Sequence, residues 1–204
     1  MPNWVYNTLT IEGSPSSVQK LKEQVSAPFT REHDQWNMET GKMELKEYTY
    51  SNPVFSFWNI IKPTDLATYA LQKDHKADDS SLFGGNNWYD WNVRNWGTKW
   101  DVAVSNDEKY PETHLTDEST TGLSYNFNTA WSPPIEAITK LSEQYPDVTF
   151  NLSYEEETGW GGEVEFENGA HATLEEYENK CRDCDALNSM EYCDNDCGEI
   201  CNEC

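Results

Sequence analysis

The sequence predicts an α+β protein, an antiparallel sheet with two helices on one face, joined on the split β-α-β plan. Three observations carry this. A strand-like run, Leu123 to Ala130, stops at Pro133-Pro134, and a helical pattern follows at once to Gln144 before Pro146 breaks it. A second strand-like run, Val148 to Glu155, comes next, with Val148, Phe150, Leu152 and Tyr154 alternating against polar residues. Each helical pattern carries one apolar stripe, so each helix has a single face to bury against the sheet.

Taken in order, Trp4 to Ile11 reads as a strand with Val5, Leu9 and Ile11 on one face. Gly13-Ser14-Pro15 punctuates it; Ser14 caps and Pro15 starts a helix whose stripe is Val18, Leu21 and Val25. Residues 29–50 are polar with scattered aromatics and read as an irregular connection. Val54 to Ile61, rich in aromatic and β-branched residues between Pro53 and Pro63, predicts a strand buried on both faces. A short helix is expected over 64–71, with Lys73 to Ser81 charged and exposed. The Trp-rich stretch 82–97 follows, and Trp100 to Val104 reads as a strand. Residues 108–121 read as a polar connection. In the second half, Ser132 is the expected N-cap of a helix with Ile135, Ile138 and Leu141 at helical spacing. After Gly159 and Gly161-Gly162, residues 163–167 alternate Val164 and Phe166 with glutamates, the pattern of an edge strand blunted by charge.

The 204 residues therefore divide into a body over 1–168, with an aromatic insert at about 64–97, and an acidic cysteine-rich tail over 169–204. No stretch approaches the roughly 20 apolar residues that cross a bilayer, and the N-terminus has neither the basic nor the apolar region of a secretory signal. The expectation is an intracellular, reducing compartment. The net charge is −23, and the last fifty residues hold sixteen Asp and Glu against Lys180 and Arg182. Such a surface repels nucleic-acid phosphates and anionic lipid and favours basic proteins, although plain solubility explains the charge equally well.

Three blocks occur in order: Met1-Pro2-Asn3-Trp4-Val5-Tyr6-Asn7, Asn95-Trp96-Gly97-Thr98-Lys99-Trp100-Asp101, and Thr129-Ala130-Trp131-Ser132-Pro133-Pro134 with Tyr145-Pro146. They resemble the YubB-type ferredoxin-like domain of phage and plasmid proteins, over roughly residues 1–168. The resemblance implies a ferredoxin-like sheet without an iron–sulfur cluster, a mobile-element origin and a bacterial host cytoplasm. It brings no catalytic residues.

The tail holds all six cysteines. Cys181-x-x-Cys184 and Cys201-x-x-Cys204 have the two-knuckle spacing of a structural zinc site, each pair turning two thiolates toward one ion. Cys193 and Cys197 are then spare, and free or oxidised thiols are the competing reading. His33, His75, His114 and His171 are isolated; His171 alone is near enough to the tail to substitute for a cysteine ligand. Trp88, Tyr89, Trp91 and Arg94 form either core packing for the insert or a recognition patch, since aromatic rings and arginine dominate interface hot spots. Trp96 and Trp100, leading into a strand, are expected in the core. No glycine-rich stretch has the residues of a phosphate loop, and no Ser-His-Asp arrangement stands out.

The function these features predict is non-enzymatic: a phage or plasmid protein that binds and inhibits a host nucleic-acid-binding or defence protein through its acidic surface, in the manner of a DNA mimic. It would touch neither nucleic acid nor membrane directly. Two other classes fit the sequence, a nucleotide or small-molecule binder using Trp88, Trp91 and Arg94, and a virion structural component.

Overall fold

The structure, a computed structural model, describes residues 3–64, 66, 69, 88–106, 113–179, 190–192 and 199–201. Its centre is a six-stranded, wholly antiparallel sheet. The strands are β1 (Trp4–Gly13), β4 (Thr113–Glu118), β5 (Gly122–Ala130), β6 (Val148–Glu156), β7 (Gly161–Glu167) and β8 (Ala170–Tyr177), in the spatial order β4-β5-β1-β6-β7-β8. Helix α1 (Pro15–Val25) follows β1, and α3 (Ile135–Gln144) joins β5 to β6. The segment β4-β5-β1-β6 with these two helices is the split β-α-β plan, and β7 and β8 extend it beyond β6. A hairpin of β2 (Phe29–Asn37) and β3 (Lys42–Tyr50), helix α2 (Trp88–Trp96) and a small pair, β9 (Met190–Tyr192) with β10 (Glu199–Cys201), complete the described elements.

Period-two patterning places the layers. Val5, Leu9 and Ile11 of β1, Leu123, Tyr125 and Phe127 of β5, and Val148, Phe150 and Leu152 of β6 are buried on the helix side. Val18, Leu21 and Val25 of α1 and Ile138 and Leu141 of α3 close over them. Ser14 caps α1 as its sequence demands, its side chain accepting from the Ser17 N–H at 3.2 Å.

Several expectations fail here, each for a readable reason. The stretch expected as a strand, Val54 to Ile61, is largely buried from Phe55 to Ile60 yet is no strand: Phe55 and Phe57 are fully enclosed, but the backbone turns on itself through Ile60 and Ile61 N–H donating to the Phe57 carbonyl. Aromatic content reported burial and not extension. Trp100 to Val104 is likewise irregular. Both segments are held by the carboxylate of Asp101, which accepts from Ser56 Oγ at 2.8 Å and from the N–H groups of Phe57, Trp58, Val102 and Ala103. One buried side chain thus does for two loops what a ladder does for strands. The missing strand of the plan is β4, within the stretch expected to be a connection. It is an edge strand with most of its residues exposed, so it lacks an apolar period. Residues 29–50, also expected to be a connection, form the β2–β3 hairpin. Its base is pinned by Phe29 stacked on Tyr50 at 4.4 Å and by Asn106 N–H donating to the Thr49 carbonyl.

Residues 163–167 are not an edge. β8 pairs along β7 and is itself the rim, its residues nearly all exposed. Ser132 does not cap α3. Pro134 holds that position without a side-chain bond, and Ser132 Oγ donates instead to the Gly97 carbonyl. The expected helix over 64–71 and the charged stretch 73–81 lie largely or wholly outside the described residues. No helix among the described residues is long and apolar enough to cross a membrane.

Candidate functional site

Two surface features stand apart from packing, and they adjoin along β1. The first is built by two loops locked together. Gly97 leaves α2 with φ +82°, and a Cβ there would sit 2.1 Å from Glu136 Oε2 and 3.0 Å from the Pro133 carbonyl, so only glycine fits. Thr98 Oγ1 donates to the Ala130 carbonyl at 3.0 Å, and Thr129 Oγ1 to the Ser132 carbonyl at 2.8 Å. Between these ties Trp131 adopts φ +74°, a strained value for a bulky residue, and its ring is 45% exposed.

The loops deliver Lys99 into a ring of aromatics. Its Nζ lies 4.4 Å from the Trp131 ring centroid, 4.6 Å from Trp100 and 5.9 Å from Tyr89. Trp4 meets Trp100 at 6.0 Å and Tyr89 meets Trp131 at 5.8 Å. Desolvation among the rings lowers the Lys99 pKa.

The residues singled out in sequence divide. Trp88 and Trp91 of α2 are half-buried against the main core, and Trp91 packs edge-on to Trp96 and Tyr69. Tyr89 turns the other way and joins the Lys99 cluster. Arg94 is exposed. Trp96 is fully buried as expected, its Nε1 donating to the Ile61 carbonyl. Trp100, expected in the core, is 38% exposed. The error came from the strand expected at 100–104: without it, Trp100 has no sheet face to pack into. Sequence reasoning passed over Lys99, Trp100 and Trp131 as a group. The available signal was the aromatic–lysine content of the two blocks that carry the family resemblance.

The second feature is the sheet face opposite α1 and α3. Ten carboxylates lie in the six strands: Glu12, Asp117, Glu118, Glu155, Glu156, Glu163, Glu165, Glu167, Glu175 and Glu176. The same strands contain no lysine or arginine. Register puts Glu155, Glu163, Glu165, Glu167 and Glu175 on the open face, toward its β6–β8 side. The β1 and β5 side is mostly polar, with Tyr6, Thr8, Asn126 and Asn128, and Glu12 at the far end of β1. An open trough of about 500 Å³ runs across it, lined by Tyr6, Thr8, His114, Asn126, Asn128, Ser153, Glu155 and Tyr177 among others. Tyr6 is 51% exposed. Tyr177 lies over Gly161, where an added Cβ would come within 2.4 Å of its hydroxyl, and that hydroxyl donates to Glu155 Oε2 at 3.4 Å.

Among the described residues no group of His, Cys, Asp and Glu is arranged to hold a metal ion. Cys181, Cys184 and Cys204 lie outside the described residues; Cys201 ends β10. His171 sits on β8 beside Thr139, with Nδ1 to Oγ1 at 3.2 Å.

Topology and sequence agree on the class: this is a ferredoxin-like α+β domain. Residues 99–194 match the family described as a ferredoxin-like domain in Api92-like protein. A crystal structure of the protein Api92 from Yersinia pseudotuberculosis is similar with a TM-score of 0.55 at 12% identity, covering 89% of this chain and 99% of that one. At that identity the likeness concerns the fold. No curated protein matches the sequence.

Proposed function

We propose that this is a non-enzymatic binding protein whose open sheet face occupies the basic groove of a nucleic-acid-binding or defence protein of a bacterial host. The observation that carries this reading is the row of Glu155, Glu163, Glu165, Glu167 and Glu175 on the open face, in strands that contain no lysine or arginine. A chain that merely needed solubility would intersperse both signs, because mixed charge disperses a protein without the self-repulsion of a single-sign field. Such a field attracts a cationic surface from a distance and repels nucleic acid. Trp100 and Trp131, at the end of the same sheet, have the exposure and ring size of interface anchors. An origin in a phage or plasmid, the YubB-type kinship and the host cytoplasm belong to the same proposal, and rest on the three sequence blocks. So does one structural zinc ion held by Cys181, Cys184, Cys201 and Cys204, which rests on the spacing of the two CxxC pairs.

The test is capture from bacterial lysate on the immobilised protein, eluted with a salt gradient. Basic nucleic-acid-binding proteins should elute first, because exposed charge pairs are screened beyond about 8 Å at 0.15 M salt. Capture of no basic protein at low salt contradicts the reading. Native mass spectrometry checks the metal: the folded mass should exceed the chain by one zinc, lost on chelation, and an unshifted mass removes the ion.

A further inference from the structure

We propose that Lys99 and the rings around it form the seat of one acidic side chain of the basic protein partner. The inference rests on the acidic-face reading and adds to it the contact that fixes where the face lands. A field of one sign draws a basic surface in from a distance, yet many alignments satisfy it. One opposite charge at its margin, set against one carboxylate of the partner, leaves a single alignment favoured.

The cluster is built for such a contact. The base of Lys99 is fixed from both sides: its carbonyl accepts from Asn92 Nδ2 at 2.8 Å, and its neighbour Thr98 donates to the Ala130 carbonyl at 3.0 Å. Lys99 itself is half-buried, with Nζ 4.4 Å from the Trp131 ring centroid and 4.6 Å from that of Trp100. Rings stabilise the ammonium charge but are poor acceptors, so its three N–H donors remain to be met. Among the described residues no carboxylate forms an ion pair with it, not even Glu136, which lies against Gly97. Desolvation accounts for its lowered pKa, with no carboxylate pulling the other way. An incoming carboxylate supplies both the counter-charge and the acceptors. Trp131 and Trp100, 45% and 38% exposed, would then shut water out around the pair.

The occupant is a protein carboxylate and not a nucleic-acid phosphate. Phosphates come in a continuous row, and Glu163, Glu165, Glu167 and Glu175 on the open face repel such a row. A lone carboxylate on a basic protein brings no neighbours of its own sign.

The test measures affinity for the basic protein recovered from bacterial lysate, by biolayer interferometry at fixed low salt, for the full chain and four variants. Toward a basic partner, removing or reversing a lysine should leave binding unchanged or tighter. Lys20→Met and Lys20→Glu, at an exposed position of α1, should therefore bind within about twofold of wild type or better. Lys99 should reverse that sign. Lys99→Met, which keeps an unbranched chain among the rings, should weaken binding about fivefold, and Lys99→Glu, which sets like charges together, at least about fiftyfold. A Lys99→Glu variant that binds no more weakly than Lys99→Met would mean that Lys99 only holds the rings in place, and overturns the contact. A loss that vanishes when the recovered protein is first treated with nuclease would make the occupant a nucleic-acid phosphate, and overturns it too. Either result leaves the acidic face standing. If the lysate yields no basic protein, the acidic face falls and the contact with it.

Discussion

Asp101 shows how much of this molecule hangs on single polar residues. It is 4% exposed and accepts hydrogen bonds from one hydroxyl and four backbone N–H groups across two irregular loops. Asp101→Ala would leave those donors buried without an acceptor, and should lower unfolding stability by about 3–5 kcal/mol, read from urea denaturation. A loss below about 1 kcal/mol would mean the loops are held by their aromatic burial alone. Glu156, 2% exposed, plays a similar part at the β6–β7 turn. Burial opposes its ionisation. Bonds from the Thr158 hydroxyl and N–H at 2.5 and 2.6 Å, with Asn3, outweigh that and hold its pKa below the usual carboxylate value. A pKa depressed in the folded state contributes stability at neutral pH that is lost as pH falls through the folded value. The stability difference between wild type and Glu156→Gln should therefore be largest near neutrality and shrink below about pH 4. A difference constant from neutral to acid pH would place the stabilisation elsewhere.

At the scale of elements, legibility followed period and burial. β1, α1, β5, α3 and β6 could be read from the sequence because each buries one face and so repeats every two or every three to four residues. β4 could not, since an exposed edge strand places almost no constraint on its side chains. The segment 54–61 misled in the opposite sense: Phe55 to Trp58 are as buried as a central strand's core residues, while the N–H groups of Phe57 and Trp58 are satisfied by a distant carboxylate. The site was legible in part. Tyr89 was singled out, and Lys99, Trp100 and Trp131 were not, because the two loops that assemble them meet through hydrogen bonds and ring contacts between residues far apart in sequence. Gly97 makes that meeting possible. Gly97→Ala forces a Cβ against Glu136 Oε2 and a left-handed backbone on alanine, and should cost about 2 kcal/mol or more. Near-UV circular dichroism should also lose Trp signal as the Lys99 cluster opens. A variant that melts like wild type would show that the loop relaxes freely.

Over the whole molecule, the fold separates duties. The helix side of the sheet takes the aromatic core, the loops at the end of β1 and β5 take the exposed rings, and the strands of the open face hold carboxylates without lysine or arginine. With a net charge of −23, stability should rise with added salt as self-repulsion is screened, while partner binding falls. The most direct measurement of the central claim compares two charge-reversal pairs of equal net charge for affinity toward a captured basic partner. Glu165→Lys with Glu167→Lys changes the open face, and Glu39→Lys with Glu47→Lys changes the exposed β2–β3 hairpin. The open-face pair should weaken binding by at least about tenfold, with the hairpin pair within about twofold of wild type. Equal losses from both pairs would reduce the acidic face to bulk charge and contradict the account.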